Sequence, residues 1–144
     1  SRGAGADHVI VYTREDFPDE LKKATNGDGV QVVYDAVGQT TFDNSISCLA
    51  RHGYMVLYGA ASGPPPPMDP MILGKGSLFL TRPGLGDYTT TRQELEKRSG
   101  DVLNWVKSGE LKLRVEHEFP LEDAPDAHRQ LAGRATTGKV LLIP

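Results

Sequence analysis

The alternation of short apolar runs with amphipathic segments constrains the fold of this 144-residue chain more than any other feature. Each run is rich in Val, Ile, Leu or aromatic residues, and the intervening segments have apolar residues at helical spacing. The order strand–helix–strand–helix–strand is typical of parallel strands joined by right-handed crossovers. The run at 30–35 is almost continuously apolar, which favours a sheet covered on both faces. We therefore predict an α/β fold with a doubly wound parallel sheet.

The same pattern predicts where the elements begin and end. Strands are predicted at residues 8–12, 30–35, 54–58, 77–81, 113–119 and 139–143. Helices are predicted at residues 16–25, 39–50, 89–107 and 123–131, with a single helical turn at 70–73. The Ser99–Gly100 pair marks a point where the third helix could bend or divide. Glu122 and Asp123 stand at the start of the last helix, where carboxylates suit the positive end of the helix dipole.

Charge, cysteine content and hydropathy exclude several classes of function. The net charge is −3 and the basic residues are scattered, which argues against binding to nucleic acid or to an anionic membrane. No stretch is long and apolar enough to span a bilayer. Cys48 is the only cysteine, so an internal disulfide is impossible and a reducing, cytoplasmic compartment is expected.

The sequence offers no recognisable metal site and no serine nucleophile. Cys48 and His52 are one helical turn apart, but no second pair of ligands supports them as a zinc site. Ser45, Ser47 and Ser62 do not lie in a nucleophile-elbow motif. We therefore predict that the chain holds no metal ligand and no Ser-His-Asp centre.

The best candidate for a ligand site is the set of segments that follow the predicted strands. In open parallel sheets, ligands bind beyond the carboxyl ends of the strands. Small residues and glycine at these ends let the backbone approach a ligand closely. Taken alone, each segment also fits a plainer interpretation, such as a packed ring, a turn glycine or a surface charge. The candidate segments are Tyr12, Asp35–Gly38, Tyr58–Gly63 and Thr81–Leu85.

One usual part of a dinucleotide site is missing from this chain. No G-x-G-x-x-G sequence lies between a strand and a helix, so the backbone cradle for a pyrophosphate is absent. Gly3-Ala4-Gly5 has the wrong context, because it precedes the first predicted strand. The chain also starts without Met, on a loop that leads directly into an apolar run, and we expect it to begin within a domain.

In their order and spacing, several stretches resemble the quinone oxidoreductase (zeta-crystallin-like) branch of the medium-chain dehydrogenase/reductase superfamily. The resemblance extends over nearly the whole chain. The stretches that carry it are Gly5–Ile10, Val33–Gly38, Tyr58–Gly59, Gly76–Leu78, Thr81–Pro83, Asp123–Ala124, Ala127–Arg129 and Thr137–Pro144.

The resemblance implies a zinc-independent, two-domain enzyme that transfers hydride from NADPH to a quinone or another electron-poor acceptor. Residues 1–112 would form part of a Rossmann-type NADPH-binding domain, and residues 113–144 would return to the catalytic domain. The glycine-rich turn and the catalytic domain would lie upstream. We therefore expect this chain by itself to bind NADPH weakly and to be inactive.

The resemblance also implies which residues bind the cofactor, and it implies no catalytic residue. Tyr12 would lie near the adenosine 2′-phosphate, since that dianion needs donors. Val37 and Gly38 would lie near the adenosine and its ribose, and the segments 58–59 and 83–85 near the nicotinamide. The full set is Tyr12, Val37, Gly38, Tyr58, Gly59, Pro83, Gly84, Leu85 and Arg134.

The resemblance further implies a homodimer that pairs edge to edge through residues 77–81, because an exposed edge strand is a template for pairing. Two other interpretations stay open. One is a different enzyme of the same fold, either an enoyl-thioester reductase or a relative of the zinc-dependent alcohol dehydrogenases. The other is a non-enzymatic binding or dimerisation module.

Overall fold

The computed structural model describes residues 2–133 and 135–144, which divide into two compact units. The first unit extends to Asp87, and the second runs from Tyr88 to Pro144. Each unit contains its own parallel sheet. Across the described residues, no helix combines the length and the apolar character that crossing a membrane requires.

The first unit is built on a three-stranded parallel sheet. Its strands, in the spatial order β1-β2-β3, are β1 (Val30–Asp35), β2 (Leu49–Leu57) and β3 (Phe79–Thr81). Two helices accompany them, α1 (Phe17–Ala24) before β1 and α2 (Phe42–Ser47) between β1 and β2. A 3-10 helix at Pro70–Gly74 confirms the predicted helical turn before β3. The parallel β1-α2-β2 connection is the crossover that the sequence predicts.

The core of this unit lies between α2 and one face of the sheet. Phe42 and Ile46 of α2 pack with Met55 and Leu57 of β2, and Met55 is completely buried. Burying side chains of this size stabilises a fold by roughly 1.5–3 kcal/mol each. This packing fixes α2, and therefore the segment that enters it, relative to the strand ends.

The other face of the sheet is exposed. Val32 and Tyr34 of β1 share this face with Tyr54 of β2 and Phe79 of β3, because side chains alternate across a strand. All four are exposed, Tyr34 to 71%, and the rings of Tyr54 and Phe79 stack with their centroids 4.5 Å apart. Within the described residues, α2 covers the opposite face of the sheet and this face has no cover.

The strand predicted at residues 8–12 does not form, so this prediction is wrong. Residues 8–11 have no regular secondary structure, and a turn follows at 12–14. A strand needs hydrogen bonds to a neighbour, and none of the described strands pairs with this segment. Val9, Val11 and Tyr12 are consequently exposed. The β-branched residues indicated a strand, but pairing and not composition decides whether one forms.

The remaining boundaries of this unit differ from the predicted ones by several residues. α2 is shorter than the predicted helix at 39–50, and β2 begins at Leu49 rather than at residue 54. Pairing of β2 with β1 shifts register within its first half, where His52 has a φ of 62°. An irregularity of this kind lets a strand begin early. β3 is shorter than predicted, because Ser77 has a φ of 52° and belongs to a turn.

The second unit contains a two-stranded parallel sheet and two helices. Its elements are α3 (Arg92–Ser108), β4 (Val115–Pro120), α4 (Ala124–Ala132) and β5 (Lys139–Ile143), and β4 pairs with β5. α3 begins with a capping box between Thr91 and Glu94 and continues through Ser99 and Gly100, so it is not divided there. Glu122 and Asp123 lie in a 3-10 helix before α4, and neither caps it with its side chain. The division into domains after residue 112 stays a prediction.

Candidate functional site

The carboxyl ends of the three strands in the first unit meet at one edge of the sheet. In the strand register, Asp35 lies opposite Leu57, and Val56 lies opposite Thr81. The segments that follow the strands therefore leave the sheet side by side, where open parallel sheets bind ligands. These segments are residues 36–40, 58–63 and 82–85.

The side chain of Asp35 organises the first of these segments. It is buried, with an exposed fraction of 4%. Its Oδ1 accepts hydrogen bonds from the Val37 N–H at 2.7 Å and from the Gly38 N–H at 3.0 Å. Its Oδ2 accepts hydrogen bonds from the Thr41 hydroxyl at 2.7 Å and from the Ser45 hydroxyl at 2.9 Å. Both carboxylate oxygens are thus engaged by uncharged donors.

Burial and hydrogen bonding act on the pKa of Asp35 in opposite directions. Burial by itself raises the pKa, because it disfavours the charged form. The four hydrogen bonds favour the carboxylate, that from the Gly38 N–H most strongly, and together they hold the pKa below its ordinary value. Asp35 is therefore an anion at neutral pH in spite of its burial.

Backbone hydrogen bonds join the segment after β1 to the segment after β2. The carbonyl oxygen of Asp35 accepts hydrogen bonds from the Tyr58 and Gly59 N–H groups, at 3.0 and 3.2 Å. Further along, the Ser62 N–H donates to the Val37 carbonyl at 2.8 Å. The two segments therefore run together from the sheet edge outward.

Side chains and further backbone bonds strengthen this link. The Ser62 hydroxyl donates to the Val37 carbonyl at 2.8 Å and accepts from the Thr40 N–H at 3.1 Å. The Gln39 N–H donates to the Gly63 carbonyl at 3.0 Å. Residues 36–40 and 58–63 thus form one hydrogen-bonded unit, which we call the paired loops.

Two glycines allow the paired loops to pack this closely. Gly38 has a φ of 85°, and a Cβ there would lie 2.6 Å from the carbonyl oxygen of Gly63. A Cβ at Gly59 would lie 2.5 Å from the carbonyl oxygen of Ala36. Neither position accepts a side chain unless the backbone moves. The close approach that we predicted toward a ligand is thus seen here between the two loops.

An open cavity of about 320 Å³ lies beside the first of the paired loops. Tyr12 and Tyr34 line it together with Val37 and with Phe17 of α1. Tyr12 is 42% exposed, so its ring is accessible to a ligand. Ligand sites usually occupy about 300–1,000 Å³. The cavity is therefore of a size for one part of a dinucleotide rather than for all of it.

The structure brings the predicted site residues of the first unit to this edge of the sheet. Tyr12 and Val37 line the cavity, and Gly38 and Gly59 hold the paired loops together. Tyr58 follows β2 with an exposed ring. That these residues bind a cofactor stays a prediction.

Two further parts of the predicted set lie elsewhere along the chain. Pro83 and Gly84 follow β3, and Leu85 begins a 3-10 helix at Leu85–Tyr88 with its side chain exposed. Their position after a strand that ends at the same edge is the one that the sequence predicts. Arg134 lies outside the described residues.

The side chains that organise the edge have no individual role that the sequence alone indicates. In the sequence, Asp35 is only part of a strand end, and Ser45 and Ser62 are only serines without a catalytic motif. The spacing could have identified the first cluster: Thr41 and Ser45 are one helical turn apart on α2, after an aspartate that ends a strand. The contacts of Ser62 depend on the pairing of two loops, which no local pattern indicates.

The family model for zinc-binding dehydrogenases matches residues 4–142 of this chain. The chain belongs to this family. It is 46% identical to quinone oxidoreductase 1 of Escherichia coli, over 98% of this chain and 44% of that protein. It is 40% identical to the 2-haloacrylate reductase of a Burkholderia species, over 100% of this chain and 44% of that protein. This zinc-binding dehydrogenase segment thus spans less than half the length of the curated relatives that it matches.

A solved structure within the family matches almost the whole chain. The Escherichia coli quinone oxidoreductase complexed with NADPH aligns with a TM-score of 0.93 and 44% identity, over 99% of this chain and 45% of that one. The match confirms the α/β, Rossmann-type fold. Together with the quinone oxidoreductases of Escherichia coli and Salmonella typhimurium, it confirms the resemblance to the quinone oxidoreductase branch of the superfamily.

The family description names zinc, and the described residues of this chain do not fit a zinc site. Among residues 2–133 and 135–144, no three or more His, Cys, Asp or Glu side chains are grouped so that they could hold a metal. A structural zinc site needs four ligands and a catalytic one three. Cys48 is a buried thiol outside any disulfide, and burial raises its pKa, which favours the neutral form over a thiolate ligand. The zinc independence of the whole protein stays a prediction.

Proposed function

We propose that this chain supplies part of the cofactor-binding domain of an NADPH-dependent oxidoreductase of the quinone reductase type. The observation that carries the proposal is the shared edge of the sheet. Tyr12, Val37 and the paired loops lie together there, where an open parallel sheet binds its ligand. The NADPH complex of the Escherichia coli relative supports the choice of cofactor, since its fold matches nearly all of this chain.

We expect this edge to hold one part of a dinucleotide, because the cavity has a size for that part. Gly38 and Gly59 are taken up by the packing of the paired loops, so a ligand would meet the other small residues of these loops. The Tyr12 hydroxyl would donate to the adenosine 2′-phosphate, and Val37 with Gly38 would border the adenosine and its ribose. The segments 58–59 and 83–85 would border the nicotinamide.

The contribution of this chain to the reaction is binding and orientation. When bound, NADPH supplies the hydride, and a quinone that accepts it with one proton becomes a hydroquinone while NADP⁺ remains. The proton can come from water, so no residue of this chain is assigned as a proton donor. A hydrogen-bonded edge that holds the cofactor in one orientation accelerates such a transfer by proximity.

The substrate named for one relative favours a second acceptor. The Burkholderia protein, a 2-haloacrylate reductase, is 40% identical to this chain. Quinones and 2-haloacrylates are both electron-poor conjugated molecules, so NADPH bound at the same edge could transfer its hydride to either of them. Reduction of an activated carbon–carbon double bond is therefore the second candidate, and it belongs to the same reaction class as an enoyl-thioester reductase.

The proposal is tested on the full-length protein that contains this chain. Oxidation of NADPH and of NADH is followed by absorbance with a quinone, with 2-haloacrylate and with an enoyl thioester. We expect turnover with NADPH and at least one of these acceptors, and slower turnover with NADH. If the protein oxidises neither nucleotide and calorimetry detects no NADPH binding, the enzyme proposal is wrong and the non-enzymatic module is favoured.

A substitution at Tyr12 tests the assignment of the 2′-phosphate. Tyr12→Phe removes the hydroxyl, and we expect the Kd for NADPH to rise about tenfold, since hydrogen bonds to charged groups are among the stronger ones. The Kd for NADH, which lacks the phosphate, should not change. Tyr54→Phe removes a hydroxyl from the exposed sheet face and is the matched control. Equal effects of Tyr12→Phe on both nucleotides would contradict the assignment.

We also propose a homodimer and a cytoplasmic location. The position of β3 at the edge of its three-stranded sheet supports dimer formation through residues 77–81. The bacterial quinone oxidoreductases that the chain resembles, and its single cysteine, support a reducing compartment.

A further inference from the structure

We infer that Asp35 is a positioning residue for cofactor binding, which acts through the paired loops and not by contact with the cofactor. The inference rests on the proposed function, because it assumes that the paired loops border NADPH. It goes further than that function, because it states that one buried carboxylate fixes the backbone that the cofactor would meet.

Asp35 is hydrogen-bonded to both of the paired loops and to the start of α2. It is the last residue of β1, its side chain holds the Val37 and Gly38 N–H groups, and its carbonyl holds the loop after β2. Through Oδ2 it also holds the Thr41 and Ser45 hydroxyls at the start and middle of α2. One residue thus sets the first loop relative to the sheet, to the second loop and to α2.

The geometry separates the role of Asp35 from that of a residue that binds the cofactor. The residue is 4% exposed, and both carboxylate oxygens are engaged by donors of the chain itself. Asp35 lines the open cavity together with Val37, Thr41 and Ser45. Because Asp35 is almost wholly buried and both of its oxygens are engaged, we expect it to act on a ligand through the groups that it holds in place and not by contact.

Removing the carboxylate would release this backbone. In Asp35→Ala, the Val37 and Gly38 N–H groups lose their acceptor, and a buried donor without a partner turns toward another acceptor or toward water. Asp35→Asn keeps an oxygen in the Oδ1 position, and its amide N–H groups can donate to the two hydroxyls, which also accept. The asparagine variant should therefore preserve most of the loop geometry.

The test uses three variants of the full-length protein: Asp35→Ala, Asp35→Asn and Ile46→Ala. Ile46 lies on α2 and packs in the core with Phe42, Met55 and Leu57, so its truncation is a control for general loss of stability. The measurements are hydrogen exchange of residues 36–40 and 58–63 without cofactor, the Kd for NADPH, and KM and kcat. All are made at a temperature where each variant is folded.

For Asp35→Ala we expect faster exchange in both loops, a rise of about tenfold in Kd and KM for NADPH, and a kcat within about twofold of the wild type. Asp35→Asn should bring the Kd back to within about threefold of the wild-type value. Ile46→Ala should lower the melting temperature without raising the Kd.

The outcomes distinguish this inference from the proposed function. If the wild type binds NADPH and Asp35→Ala binds it equally well, or if Ile46→Ala weakens binding as much, Asp35 is only structural and the inference is wrong. If the wild type itself does not bind NADPH, the proposed function fails, and the positioning role of Asp35 fails with it.

Discussion

At the scale of single residues, Asp35 shows how this chain keeps a charge inside a small unit. Burial disfavours its carboxylate, and four hydrogen bonds from uncharged donors more than offset that effect, so the pKa is lowered. A group with a lowered pKa in the folded state stabilises the fold only while it is ionised. We therefore expect the free energy of unfolding of the first unit to fall when the pH is lowered into the acid range.

We predict that Asp35→Asn makes the free energy of unfolding less dependent on pH in the acid range. At neutral pH, the wild type should exceed the variant in free energy of unfolding by about 1–2 kcal/mol. The advantage is fully present above the ordinary pKa of 3.8 and is lost as the pH falls through the lowered value. Urea unfolding at a series of pH values measures it. Asp28→Asn, at an exposed turn, is the control, and an advantage that persists unchanged in strong acid would contradict the prediction.

A second prediction at this scale concerns Gly38. Gly38→Ala places a Cβ against the Gly63 carbonyl in a left-handed conformation, and we expect a loss of about 1–3 kcal/mol in unfolding free energy. Gly74→Ala is the matched control, because its Cβ would meet nothing within 4 Å. Its effect should stay within about 0.5 kcal/mol. Equal effects of the two substitutions in urea unfolding would show that the loops do not pack as described.

The sequence predicted the positions of these residues better than their partners. Glycine at a strand end indicates close approach of backbone, and Gly38 and Gly59 do lie at such approaches. The approach is to a neighbouring loop, and which loop this is depends on the strand order. The cluster around Asp35 could be suspected from spacing alone, but its hydrogen bonds follow from the packing of α2 against the sheet.

At the scale of elements, hydrophobic periodicity indicates which segments prefer helix or strand, and pairing with a neighbour decides which strands form. α1, β1, α3, α4 and β5 form close to where the pattern predicts them, because their patterns are long or are supported by a neighbour. The segment at 8–12 has strand composition and no paired neighbour among the described residues, so it is irregular. Local sequence predicts the preference of a segment, and the neighbour decides whether the preference is realised.

The edge position of β3 gives a prediction for assembly. If copies of the full-length protein pair through this strand, Thr81→Pro should turn the dimer into a monomer, because proline has no backbone N–H and its ring disfavours pairing of the strand. Thr81→Val keeps that N–H and should leave the dimer intact. Size exclusion with light scattering measures the mass. A wild-type monomer, or a dimer that survives Thr81→Pro, would mean that the chains associate elsewhere or not at all.

At the scale of the whole molecule, we expect the chain to supply only part of a dinucleotide site. The edge residues and the cavity are present, but no G-x-G-x-x-G sequence lies between a strand and a helix. A turn with that sequence donates several backbone N–H groups to the pyrophosphate. The chain spans 44% of quinone oxidoreductase 1 of Escherichia coli.

We therefore predict that the 144-residue chain binds NADPH weakly, with a Kd above about 1 µM. Calorimetric titration of the chain against NADPH measures this, and the full-length protein is the reference. We expect the full-length protein to bind more tightly and the chain alone to show no turnover. Submicromolar binding by the chain alone would mean that the sheet edge suffices without a pyrophosphate cradle.

The interlock between Gly38 and Gly63 has a consequence for protein engineering. Because a side chain at position 38 would meet the opposite loop, a segment with any residue other than glycine at that position cannot be exchanged by itself between homologous dehydrogenases. A chimera that exchanges these loops would have to transplant both segments together, with Asp35 and the first turn of α2. Recombination points for such a chimera therefore belong in β1, upstream of Asp35, and after Gly63.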